Sequence, residues 1–119
     1  MGDPRRALVE RFYEKVISGG NIDALDELMA EDFVEHNAPP GLPAGRAGFK
    51  LFVEALRTGF PDFRWTVHDW IVAGDRVVAR GEGSGTHAGE FMGAPGSGRA
   101  QSWTAIHIFR VDDGLLRER

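Results

Sequence analysis

No cysteine occurs among the 119 residues, which excludes a disulfide framework, a thiolate metal site and a thiol nucleophile. Lysine is scarce. Only Lys15 and Lys50 are present, the other positive charges are arginines scattered without a basic run, and the formal net charge is -4. This composition excludes the electrostatic footprint of a nucleic-acid surface and gives no attraction to an anionic membrane. Long apolar runs are also missing: nothing approaches the roughly 18 residues of a spanning helix. The start, "MGDPRRALVERFYEKV", carries charge through its first turns, unlike a signal peptide. The expectation is a soluble, cytoplasmic protein with no nucleic-acid or membrane partner. At 42% hydrophobic residues the chain suffices for one core, hence a single domain over residues 1–119.

What is present is strongly patterned. Asp3-Pro4 is a helix-start signal, after which Leu8, Val9, Phe12, Tyr13, Val16 and Ile17 recur at helical spacing until Gly19-Gly20. Asn21 caps a short second helix over "NIDALDELMAEDF", with Leu25, Leu28 and Met29 as its buried stripe. The segment "NAPPGLPAG" holds three of the six prolines and predicts an irregular loop able to line or cover a site. Phe49, Phe52, Val53, Leu56 and Phe60 mark a third helix that ends at Gly59 and Pro61. From Phe63 the period becomes two. Strands run through "FRWTVHDWIV", the turn "AGD", "RVVARGEGSGTH", a glycine-rich connection, "QSWTAIHIFRV", the turn "DDG" and "LLRER". Helices followed by antiparallel strands predict an α+β fold, the helices covering one face of a strongly curved sheet.

Alternation assigns faces to the strands. Trp103, Ala105, His107, Phe109 and Val111 share the more apolar face of the last long strand, so His107 is expected to point inward. Phe63, Trp65, Val67, Asp69 and Ile71 form the corresponding face of the first strand, which places an acid among apolar side chains. The opposite faces still carry Trp70, Ile106 and Ile108, more apolar area than a solvated face needs, and this predicts a homodimer interface.

Histidine 107, held among Trp103 and Phe109, is a candidate proton carrier, against the plainer reading of a neutral core imidazole satisfied by a neighbour. Asp69 is a weaker candidate, since an acid near a strand end can bend out to water or pair with an arginine. His36 opens the proline-rich loop behind the apolar Phe33 and belongs to either a pocket rim or the open surface. Arg80 and Glu82 share a strand face, where a cross-strand surface ion pair is the simplest account. Glycines 81, 83 and 85 leave the other face bare, so a helix or a ligand comes close there. "GAPGSGR" lacks the Lys-Ser/Thr step of a phosphate loop and lies between strands. Histidines 36, 68, 87 and 107 have no HxxxH spacing, so no metal site is expected.

Across nearly its whole length the chain resembles the SnoaL-like polyketide cyclase family, within the nuclear transport factor 2-like superfamily. The most specific pieces are "AEDFVEHNAPPG", "GTHAGEFMGAPGSGR" and "IFRVDDG". The resemblance implies a cone-shaped α+β barrel, in which three N-terminal helices close a curved, mostly antiparallel sheet over a deep apolar pocket, commonly in a dimer. It implies an interior place for His107, where the family holds a polar residue, often aspartate or histidine, and a rim or pocket place for His36. In the cyclases the proton-transferring aspartate lies just beyond the segment matching "LLRER", which leaves His107 as the family-like proton carrier of this sequence.

Characterised members close the last ring of aromatic polyketides by an intramolecular aldol reaction without a cofactor, so the resemblance implies a cofactor-free cyclase or isomerase acting on a polycyclic aromatic ketone. On that reading His107 transfers the proton, Asp69 or Gln101 orients it, and Tyr13, Phe52, Trp65, Phe91 and Trp103 stack on a small aromatic ligand, with His36 at its edge. Two other classes stay open. One is isomerase or epoxide hydrolase chemistry on a terpenoid or steroid-like substrate, the latter requiring Arg80 to point inward beside Asp69; the other is a non-catalytic, dimeric ligand-binding domain.

Overall fold

The structure, a computed structural model, describes residues 2–119. Helix α1 (Pro4–Arg11) starts where the Asp3-Pro4 signal places it: the Asp3 carboxylate accepts from the Arg5 backbone N–H at 2.8 Å, and proline occupies the first turn, where no N–H is needed. The helix widens into a π-helical segment over Phe12–Ser18 and stops at Gly19 and Gly20, the latter at φ +71°. Phe12, Tyr13, Val16 and Ile17 are all buried on this widened stretch.

Asn21 does cap the next element, accepting from the Ala24 N–H at 3.3 Å, but the helix it opens is shorter than periodicity indicates. A 3-10 turn (Ile22–Ala24) leads into α2 (Leu25–Leu28), and at Met29 the chain leaves the helix for strand β1 (Met29–Val34). The expected second helix over "NIDALDELMAEDF" is therefore corrected to a helical turn followed by a strand. The cause is long-range: β1 pairs in parallel with the far end of the chain, Met29 opposite Leu116 and Val34 opposite Glu118. Helix α3 (Gly45–Gly59) follows the proline-rich loop and buries Phe49, Val53 and Leu56 along one stripe.

Strands β2 (Arg64–Ala73), β3 (Arg76–Thr86), β4 (Ala100–Asp112) and β5 (Leu115–Glu118) complete a five-stranded sheet in the order β1-β5-β4-β3-β2. Among the described residues only the β1–β5 pairing is parallel. The expected turns are present at Gly74 and at Asp113-Gly114, where φ values of +53° and +71° give the doubly left-handed backbone of a tight hairpin. The helices cover one face of the sheet, and the core between them is dominated by Phe12, Phe33, Phe109, Leu25, Met29 and Leu116. The fold is α+β, as the order of elements predicts.

Two details of the sheet position the site. Register slips between Val67 and Asp69 in β2, so the strand bulges at His68 and its later residues change face. Strict alternation across that bulge misplaces them: Trp70 turns inward, its ring centroid 6.3 Å from that of Tyr13, while Asp69 and Ile71 turn outward. Beside the bulge, the bare face of β3 is approached by the chain's own rings. An ideal Cβ on Gly81 would lie 3.0 Å from the Trp65 ring, one on Gly83 would meet Phe63 and Trp103, and one on Gly85 would meet Phe60.

Candidate functional site

The π-helical segment, β2 and β4 bring Tyr13, Trp65 and His107 together on the inner side of the sheet. The Tyr13 hydroxyl lies 2.8 Å from His107 Nδ1. Trp65 stacks over the imidazole at 4.7 Å between ring centroids and lies nearly parallel to Tyr13 at 5.6 Å. Phe109 closes the group edge-on against both Tyr13 and His107. The inward expectation for His107 is thus met, and Tyr13 occupies its Nδ1.

Burial sets the protonation of this group. Enclosure by Trp65, Tyr13 and Phe109 disfavours the imidazolium, and the nearby Arg119 guanidinium disfavours it further, so the His107 pKa is pushed down to about 3. At neutral pH the ring is uncharged. Burial likewise raises the Tyr13 hydroxyl above its ordinary value, although the Arg119 charge and the Trp65 indole N–H pull the other way. That indole nitrogen is buried and has no hydrogen-bond partner among the described residues.

A second pair stands beside the first. Glu35, at the end of β1, and Arg119, just past β5, form an ion pair at 2.7 Å with side chains only 13% and 15% exposed. Backbone bonds hold both in place, the Arg119 N–H donating to the Val34 carbonyl and the His36 N–H to the Arg119 carbonyl. The guanidinium carbon lies 5.3 Å from the Phe49 ring centroid and 6.0 Å from that of Phe109.

Glu35 and Arg119 form a common wall of two concavities. The larger, about 960 Å³, runs between the proline-rich loop, β1 and α3 and includes Phe33, Pro39, Phe49 and Phe52 in its lining. The loop therefore does line a concavity. The smaller, about 370 Å³, is lined by His36, His107, Glu118 and Ile106 beside the same pair. Only the smaller one reaches the histidine.

The residues singled out from sequence separate into groups. Tyr13, Trp65 and His107 are assembled. Phe52 lines the larger concavity beside Phe49, at 5.8 Å. His36 stands exposed on the rim of the smaller one, bonded through Nε2 to the Glu118 carboxylate. Phe91 and Trp103 belong to a different aromatic group around Phe60, at 5.5 and 5.7 Å, where His87 also stacks at 5.1 Å. Gln101 is exposed, opposite Gly85 near the far end of β4, and does not orient His107.

The inner-face placement of Asp69 is corrected. The bulge at His68 sends its carboxylate outward, where it meets Arg80 at 2.5 Å with both side chains more than half exposed. His68 and Glu82 lie 3.8 Å apart on the same surface. Among the described residues, no group of three or more histidine and acidic side chains is placed to hold a metal ion, and no helix is long and apolar enough to cross a membrane.

Comparison with known proteins places this architecture. The family model described as SnoaL-like polyketide cyclase matches residues 7–119. The chain belongs to that family. Among solved structures it is similar to TsrD from Streptomyces laurentii, at 29% identity and a TM-score of 0.86 over 99% of this chain and 87% of that one. It is also similar to IdmH from Streptomyces antibioticus, a candidate polyketide cyclase, at 35% identity and a TM-score of 0.81 over 96% of this chain and 87% of that one. AclR from Streptomyces galilaeus, a candidate hydroxylase, shares 25% identity and a TM-score of 0.81 over 96% of this chain and 71% of that one. No curated protein matches significantly.

Within this SnoaL-like domain, sequence reasoning missed Glu35 and Arg119. Glu35 lay between the segment read as the second helix and the proline-rich loop and drew no reading, and Arg119 is one of three charged residues in "RER". The odd-even phase of "LLRER" gave no signal, because alternation from the buried Leu116 puts Arg119 on the opposite face; the register shift between β4 and β5, which leaves Arg117 as an extra residue, reverses the phase and brings Arg119 inward.

Proposed function

We propose that the protein is a small-molecule enzyme that closes a ring in a polycyclic aromatic ketone by a cofactor-independent intramolecular aldol reaction, with His107 moving the proton. The observation that carries this reading is the Tyr13–His107 contact at 2.8 Å, which occupies Nδ1 and leaves Nε2 for a substrate proton, in a residue that lines the smaller concavity. It stands in a chain that belongs to the SnoaL-like polyketide cyclase family.

In the reaction the α-C–H bond breaks, a C–C bond forms to the acceptor carbonyl carbon, and the carbonyl π-pair becomes an alkoxide that takes up a proton. No net proton is gained or lost. Accepting from Nδ1–H, Tyr13 leaves Nε2 bare to take the α-proton, and the imidazolium so formed keeps Nδ1–H on Tyr13 and returns the Nε2 proton to the alkoxide. Trp65 and Tyr13 restrict the ring to one orientation, which keeps Nε2 in position. The smaller concavity supplies the approach, and a flat aromatic ligand fits the walls that Phe33, Phe49 and Phe52 give the larger one.

The epoxide hydrolase alternative loses its support, since Arg80 and Asp69 face outward. The test is turnover of a panel of linear polyketide-derived ketones, followed by product analysis. His107→Ala should lower kcat by about a hundredfold or more, the usual contribution of a positioned acid–base group. Ring closure at an undiminished rate in that variant would remove His107 from the mechanism, and ligand binding without conversion by the native protein would favour a binding module.

A further inference from the structure

The Glu35–Arg119 pair is not explained by stability. Desolvating two charges costs about as much as their attraction returns, so an ion pair at this depth is a poor structural device next to an apolar pair. It also stands where two concavities share a wall and where the guanidinium carbon lies over the Phe49 and Phe109 rings, with Glu35 as its one charged partner among the described residues.

We propose that Arg119 is the subsite for the anionic oxygen of the substrate, an enolate or ionised phenol conjugated to the reacting ketone, and that Glu35 is the internal counter-ion holding this guanidinium until the ligand arrives. The subsite deepens the aldolase-type reading above and rests on it for its role in catalysis. A planar guanidinium donates to an enolate oxygen as it does to a carboxylate, and an aromatic ligand extends over the same phenylalanine surfaces.

The arrangement resolves a difficulty in using His107 as a base. In the empty protein the ring holds a proton poorly, partly because of the Arg119 charge. An enolate oxygen on Arg119 neutralises that charge as the α-proton leaves, so the imidazolium forms beside an anion in place of a bare cation. No added reactant is needed. The proton leaves carbon for Nε2 and returns to the alkoxide, while the enolate pair forms the new C–C bond.

The experiment uses two probes of equal shape core, 1,4-dihydroxyanthraquinone and 1,4-dimethoxyanthraquinone, titrated against the intact protein by quenching of tryptophan emission at a pH where the first is partly ionised. The native protein should bind the ionisable probe about tenfold more tightly, the size of one added charge-assisted contact. Arg119→Met should abolish that preference and leave the dimethoxy probe's affinity within about twofold. Glu35→Gln, which removes the competing charge and keeps a hydrogen-bonding side chain, should raise affinity for the ionisable probe several-fold; a purely structural pair predicts no gain. Equal binding of the two probes by the native protein, no binding of either, or a preference that survives Arg119→Met overturns the subsite. If Arg119→Met fails to fold, the direction of the Glu35→Gln change decides. A subsite confirmed by these titrations in a protein that closes no ring would refute the cyclase reading while leaving Arg119 as the anion contact.

Discussion

His107 meets two different environments across one ring. Nδ1 faces a tyrosine hydroxyl inside the core, while the residue also lines a concavity shared with Arg119 and Glu35. A core-only histidine would need no concavity, and a surface histidine would not have its proton affinity so reduced. The reduction has a consequence for stability. Because the folded pKa of about 3 lies below the ordinary value of 6.5, the unfolded chain binds a proton in that window and the folded chain does not. Stability therefore rises with pH between about 3 and 6.5 and is flat with respect to this group above it. Carboxylates act at lower pH: Glu118, held down to about 2 chiefly by Arg110 and then by His36, loses its contribution as pH falls below its ordinary 4.5. The interval from 6.5 to 4.5 thus separates the two. Urea unfolding of native protein and His107→Gln should differ there in slope, the native protein losing up to about 1.4 kcal/mol more per pH unit of acidification. Parallel pH profiles would mean that His107 is protonated in the folded state.

At the scale of elements, the strand faces show what alternation can read and where it fails. β4 runs 13 residues with a continuous register against β3, so parity placed His107, Phe109 and Val111 correctly. β2 carries a bulge at His68, and every residue beyond it changes face, which is why Trp70 and Asp69 exchanged places. β1 escaped detection because its pairing partner lies more than 80 residues away and its six residues alone fit a helix as well. The corresponding predictions divide along this line. Asp69→Asn and Arg80→Gln, on the solvated side, should each change stability by no more than about 0.5 kcal/mol and leave turnover unaltered, as measured by thermal unfolding and assay. Gly81→Ala, one strand away on the inner side, should cost about 1–3 kcal/mol or more, since its Cβ would fall 2.3 Å from the Thr66 carbonyl oxygen and 3.0 Å from the Trp65 ring. Trp65 also stacks on His107, so the same variant should reduce activity beyond its effect on stability. An unchanged melting temperature would show that β2 and β3 can separate without loss.

For the whole molecule, the sheet has one face under the helices and one without cover. On the open face Ile71 of β2, Val78 of β3 and Ile108 of β4 are register partners and so form an apolar row across three strands, with Ile71 59% and Ile108 55% exposed. Ile106, 62% exposed, lies in the neighbouring row beside Arg80 and Asp69. An apolar row bordered by charges of both signs is the kind of surface a two-fold contact uses, and it keeps the homodimer expectation from the sequence open to test, with Ile71 in the place given there to Trp70. Burying such a row once on each protomer gains hydrophobic free energy without altering the monomer's own core. Ile108→Lys should therefore convert a dimer to a monomer in sedimentation velocity at micromolar concentration. Tm should fall only by the part contributed by association, so that native protein and variant converge as both are diluted. A native protein that sediments as a monomer across that range would assign the row to a solvated face, and His107 turnover, if present, would then belong to the single chain.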